Sequence, residues 1–244
     1  MELFSYNDTL YQINTSQTLC NCIMDSNHKL SELLEQGDFG FGATAGMQEN
    51  IVLFNGKIIS PKENISSKKI AISFVSKFFN EKTLYSCSGM NIEGLREYIE
   101  CSFQSKNYIY LFKLKSEFDF VKISHFPKFQ KPYVKITPEI VNQSENEILS
   151  NISGYLMGFW LPSYLDCFNS GAGGCHIHFI SDDMSVFGHV LECQTSSFEM
   201  QLCQKNNFEL VLPCCKDFNT SPFIEDKQMN SRISDWAKLG KGGI

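Results

Sequence analysis

Along most of this chain apolar and polar residues alternate in short runs, a period of two that marks strands with one buried face. Runs rich in β-branched and aromatic residues predict strands over Thr9–Thr15, Ile51–Phe54, Lys69–Phe79, Asn107–Lys115, Phe118–Ser124, Gly154–Trp160, Cys175–Ile180, His189–Thr195, Phe198–Gln204 and Phe208–Pro213. Helical spacing is rarer. Leu30-Ser-Glu-Leu-Leu-Glu stops at Gly37, and Ile92–Cys101 places apolar residues at 92, 95, 98 and 99 on one face. Thr137–Ser150, with Pro138 in a first-turn position and spaced Ile140, Val141, Ile148 and Leu149, predicts a third helix joining two β-rich halves. The pattern therefore predicts a β-rich α/β protein of mixed β-sheets. Residues 1–134 are expected to form an N-terminal sheet domain with flanking helices, and residues 135–244 a C-terminal β domain.

Composition narrows the function classes. The chain has 244 residues, 43% of them hydrophobic and 20% charged, which is ample for a sizeable core. A formal charge of −6 argues against a nucleic-acid or anionic-membrane surface. No apolar stretch reaches the length of a membrane span, and the start, Met1-Glu-Leu-Phe-Ser-Tyr-Asn-Asp, lacks the basic and apolar regions of a signal peptide. A cytoplasmic location is expected. The ten cysteines include no CxxC pair, so they are expected to be reduced and buried rather than bridged or zinc-bound.

Chemistry concentrates in residues 174–192, which hold three of the five histidines. His176 and His178 share one face of the expected strand, and Cys175 and Ile177 share the other. Asp182, Asp183, Ser185 and Gly188 read as a turn, after which an antiparallel return would bring His189 beside the pair. Cys193, four residues further on, is too distant to be a ligand. Three imidazoles on rigid strands with a coordination position left open make a catalytic rather than a structural metal site, zinc being the expected ion. The competing reading is a set of buried histidines hydrogen-bonded in a core.

At this point the chain resembles the alpha-acetolactate decarboxylase family along almost its whole length. Leu30-Ser-Glu-Leu-Leu-Glu-Gln-Gly-Asp-Phe-Gly-Phe-Gly is similar to that family's ELLxxGDFGxGT entry. Phe118-Asp-Phe-Val-Lys, Phe126-Pro-Lys and Gly154-Tyr-Leu-Met-Gly-Phe-Trp follow in family order. Gly174-Cys-His-Ile-His-Phe-Ile-Ser-Asp-Asp through Gly188-His-Val-Leu is the most specific match. The resemblance implies a cytoplasmic, two-domain, β-rich homodimer with one zinc between its domains, held by His176, His178 and His189. It also implies conversion of 2-acetolactate to acetoin and carbon dioxide, through an enediolate that the metal stabilises.

Three polar positions depart from the family pattern. The family glutamate after the GDFGxG loop falls on Asn50, with the carboxylate one place earlier at Glu49. Glu49 serves as an acid/base group or fourth ligand only if a bulge restores the register; otherwise it is a solvated residue at a strand entrance. The family arginine falls on Ser124, leaving His125 either turned inward as a partial substitute or on a surface loop. For the family's C-terminal glutamate the candidates are Glu225, Asp226 and Asp235. Between the ligands Met184, Val186 and Phe187 replace a turn that usually carries Arg and glycines, which makes the pocket mouth narrower and more apolar. A larger β-keto acid, or metal binding with little catalysis, is the alternative these changes raise.

Overall fold

A computed structural model describes residues 8–62, 65–165 and 174–221. Two sheets carry the molecule. The first runs β11 (Asn207–Val211), β1 (Thr9–Ile13), β5 (Ile70–Ser76), β2 (Phe39–Thr44), β3 (Asn50–Phe54) and β4 (Lys57–Ile59), with β1 and β11 parallel and the other pairs antiparallel. The second runs β6 (Lys82–Ser86), β10 (Phe187–Lys205), β7 (Ile109–His125), β8 (Glu145–Leu161) and β9 (Gly174–Ser181), and β9 pairs back onto β10. Strands β7, β8, β9 and β10 thus close into a ring. One row of partners runs Asn146, Ser124, His189, His178 and then Met157, returning to β8 a long way from where it left. Closure with that offset requires strongly tilted strands, and bulges in β10 between Val190 and Phe198 accommodate the bending.

The strands form where alternation put them, but several elements differ from the sequence reading, among them β4 and β6, which no expected strand covered. Two pairs of expected strands fuse into the long β7 and β10, because these two strands pair with each other past the polar interruptions, and β8 does the same for β7. Strand β2 was hidden by its glycines, which lower strand propensity. Here they are required, since a Cβ on Gly40 or Gly42 would run into the carbonyl oxygens of Phe74 and Ile72 on β5. The expected helix over Thr137–Ser150 is helical only at α4 (Pro138–Val141); Glu145 onward is strand β8, paired with β7. Ladder pairing outweighed a weak 3.6-residue pattern, and Ile148, assigned to the apolar face, is 65% exposed. The sheets also do not divide at residues 134/135, for β6 and β7 belong to the second sheet and β11 to the first.

Helix α3 (Ile92–Cys101) forms as its spacing predicts. Asn91 caps it by accepting from the Gly94 amide, and Ile92, Leu95 and Ile99 are buried against the ring's interior core of Phe112, Leu114, Phe118, Ile177 and Phe179. Helix α2 (Leu30–Gln36) buries Leu30 and Leu33 on the outer face of the first sheet, with Ile51, Leu53 and Val75. Two shorter helices, α1 (Ser16–Cys20) and α5 (Lys216–Thr220), complete the described chain. Between the sheets lies a third core, in which Phe39, Phe41, Phe74 and Val52 of the first sheet meet Leu111, Met157, Phe159 and Ile180 of the second. This layer positions the histidines.

Candidate metal centre

His176 and His178 lie on β9 opposite Phe159 and Met157, both buried in the intersheet core, and His189 lies on β10 directly across from His178. Residues opposite one another on antiparallel strands share a face, so all three imidazoles emerge toward the first sheet. Each offers a ring nitrogen, and these ligand atoms lie within 4.8 Å of one another. Phe41 of β2 closes the site from the other side. Its ring stacks on His178 at 3.9 Å between centroids and meets His176 edge-on at 4.7 Å. The cluster therefore sits between the two sheets.

The donor set fits a divalent cation on an observation internal to the site. The Nε2 atoms of His176 and His178 face each other at 3.3 Å. Two nitrogens about 2.0–2.1 Å from one tetrahedral ion would stand about 3.3–3.4 Å apart. Burial drives the pKa of both imidazoles well below the ordinary value of 6.5, and the neighbouring His189 adds to the effect. Burial, followed by the Arg96 guanidinium, lowers His189 to about 4. All three rings are thus neutral at physiological pH, the form a metal requires. The Nδ1 of His178 is buried without a hydrogen-bond partner, so the ring is oriented by the Phe41 stack rather than by an acceptor behind it.

Those shifts have a sign that can be checked. A histidine whose folded pKa lies below its unfolded value of about 6.5 leaves stability untouched above that pH. As the pH falls the unfolded chain takes up protons that the folded chain refuses, and stability is lost down to about pH 4 for His189. Each such ring can contribute up to about 1.4 kcal/mol per pH unit in that window. Metal-free protein is therefore expected to melt at progressively lower temperature between pH 6.5 and 4, and His189→Gln to flatten that slope; a pH-independent Tm across this range would refute it.

The other sequence candidates fall as follows. The tight loop from Thr44 to Glu49 is closed by the Thr44 amide donating to the Glu49 carbonyl and the Glu49 amide to the Thr44 hydroxyl, so β2 and β3 pair without slippage from Ala43 opposite Asn50. Asn50 consequently shares the face of Ala43 and Phe41, toward the histidines. Glu49 is 7% exposed, its carboxylate is paired with Lys62, and it lines the same cleft as Asn50 and His125. Ser124 stands directly across from His189 and so shares its face. His125, at the end of β7, is partly buried and its Nδ1 lies 3.3 Å from the Asn50 amide nitrogen. Cys175 packs into the ring's interior core, away from the site. Glu225, Asp226 and Asp235 lie outside the described residues. Two contributors went unread in the sequence: Phe41, whose period-two spacing with Phe39 and Ala43 was the available signal, and the contact between Asn50 and His125, for which sequence offers none.

A cleft of about 230 Å³, which none of the three histidines lines, is formed by Glu49, Asn50, His125, Phe126, Glu145 and Phe187 among others. Its walls come from β3, the ends of β7 and β8, and the turn between β9 and β10, so it spans both sheets. The apolar side chains at its mouth are those that replace the usual polar turn.

Comparison with known proteins places this architecture. The family model described as alpha-acetolactate decarboxylase matches residues 10–225. The chain belongs to the alpha-acetolactate decarboxylase family. It is 30% identical over 227 residues to the alpha-acetolactate decarboxylase of Methanosarcina mazei, covering 91% of this chain and 78% of that protein. With the Bacillus licheniformis protein of the same name it shares 28% over 222 residues, covering 88% and 87%. The crystal structure of alpha-acetolactate decarboxylase from Bacillus subtilis strain 168 superposes with a TM-score of 0.86 at 22% identity, over 96% of this chain and all of that one. That likeness establishes the fold. The family's β-rich α/β architecture of mixed sheets is the one described above.

Proposed function

We propose that this protein is a zinc-dependent alpha-acetolactate decarboxylase, converting 2-acetolactate to acetoin and carbon dioxide. The observation that carries the reading is the convergence of His176, His178 and His189 to within 4.8 Å, all neutral, in a chain of this family. A bound divalent cation would supply Lewis-acid stabilisation of the charge left on the substrate as carbon dioxide departs, an effect worth several kcal/mol. The chain's own residues do the rest. His176, His178 and His189 hold the cation as neutral donors on rigid strands. Phe41 and Phe74 keep the ligand side of the site dry, which strengthens every electrostatic interaction there. Asn50 and His125 present polar groups to the cleft, and Ser124 stands across the ladder from His189.

The cleft is smaller than the roughly 300–1,000 Å³ typical of sites for drug-sized ligands, which favours a short keto acid over a larger one. The reading carries with it a cytoplasmic homodimer with one zinc per chain. Purified protein loaded with zinc is expected to form acetoin from 2-acetolactate faster than the spontaneous reaction, to stop when stripped with a chelator, and to recover when zinc is returned. Acetoin formation no faster than in protein-free buffer rejects the reading.

A further inference from the structure

Asn50, which replaces the family glutamate, meets in space the residue that follows Ser124, the replacement of the family arginine. Asn50 stands at the start of β3 and Ser124–His125 at the end of β7, seventy-odd residues apart in sequence and on different sheets. The Asn50 amide nitrogen meets Nδ1 of His125 at 3.3 Å. A primary amide nitrogen can only donate, so Nδ1 accepts and the ring proton resides on Nε2. Nε2 has no hydrogen-bond partner among the described residues. On the β10 side the ring lies close to Gly188, where a side chain would come to 3.4 Å from its Cε1. Both residues line the cleft.

We infer that His125 is the substrate-binding hydrogen-bond donor of this cleft, through Nε2–H, and that Asn50 is its positioning residue, fixing the tautomer. The inference rests on the keto-acid reading for the identity of the ligand but not for the tautomer. The group recognised is an oxyanion: the carboxylate of a short 2-hydroxy-3-oxo acid, or the oxygen on which charge collects when that carboxylate leaves. An imidazole N–H does here what a guanidinium fork would do at position 124, with one hydrogen bond in place of two. Asn suits this arrangement and a carboxylate would not. An Asp or Glu at position 50 would accept from Nδ1–H, either moving the proton off Nε2 or charging the ring.

Long-range ¹H–¹⁵N spectra of the zinc-loaded full chain test this directly, because only five histidines contribute. His125→Gln identifies the His125 signals by their disappearance. The expected wild-type spectrum shows His125 with an unprotonated Nδ1 and a protonated Nε2. In Asn50→Asp the Nδ1 becomes protonated. A wild-type ring protonated on Nδ1, or one whose tautomer is indifferent to Asn50→Asp, overturns the inference whatever the enzyme's substrate. In the acetoin assay His125→Gln, which retains an N–H donor, is expected to keep kcat/KM within about 10-fold. His125→Phe, which fills the space without a donor, should lose about 10²–10³-fold. Equal losses in the Gln and Phe variants would reduce His125 to a packing residue. A chain that decarboxylates nothing but shows the expected tautomer and its reversal retains the amide–imidazole couple and refutes only the activity.

Discussion

Replacing His178 with alanine is expected to lower acetoin formation by about 10³-fold or more and to remove the bound metal with it. Several kcal/mol of charge stabilisation depend on the cation, and about 1.4 kcal/mol corresponds to each factor of ten in rate. His178 is the central ligand in this geometry. It lies 8% exposed, faces His176 through Nε2 at 3.3 Å, sits across the ladder from His189, and rests on Phe41. With it gone the two remaining imidazoles cannot enclose an ion whose other positions must stay open to substrate. The measurement pairs metal content by mass spectrometry with the acetoin assay on protein whose circular dichroism matches wild type. Stoichiometric zinc with wild-type turnover in the alanine variant would remove the histidine cluster from the function altogether.

Truncating Phe159 to alanine should produce the largest loss of stability of any single change outside the site. Its ring is 1% exposed in the layer between the sheets, with Phe39, Phe41 and Phe74 at centroid distances of 5.8, 5.0 and 6.0 Å. A Phe→Ala change in such a core typically costs about 3–5 kcal/mol, from lost burial and from the cavity left behind. For a chain of this length that lowers Tm by on the order of 10 °C. The effect reaches function as well, because Phe159 stands opposite His176 on the ladder and supports the Phe41 ring that stacks on His178. Metal affinity should therefore fall together with Tm, while Phe159→Leu costs much less of both. A loss below about 1 kcal/mol would show that the intersheet layer does not hold the two halves of the site in register.

The sequence was most legible where chemistry and local pattern coincide. The period-two spacing of His176 and His178, the polar turn and the return through His189 required only that a hairpin form, and β9 and β10 do pair there. Helix α3 was equally plain, because a cap and one apolar stripe are local properties. The error at Thr137–Ser150 has the opposite origin. Its weak apolar spacing was overridden by β7, whose residues 118–125 supply ladder partners for Glu145–Ile152 that no local window contains. Strand β2 escaped notice for a related reason: its glycines read as a loop until β3 and β5 are present on either side.

The two residues that sequence order left ambiguous were decided by register. Asn50 and Glu49 are adjacent, and a shift of one place would exchange their faces. Only the unslipped pairing of Ala43 with Asn50 turns the amide toward the histidines and leaves Glu49 to Lys62. By itself, then, the sequence determined the strand-rich class, the family and the three imidazoles, all of which depend on neighbours along the chain. The tertiary structure alone decided which polar groups face those imidazoles, that Phe41 of one sheet stacks on His178 of the other, and that Asn50 meets His125. Those contacts join segments far apart in sequence, and their existence depends on the angle and offset at which two sheets pack, which no local pattern encodes.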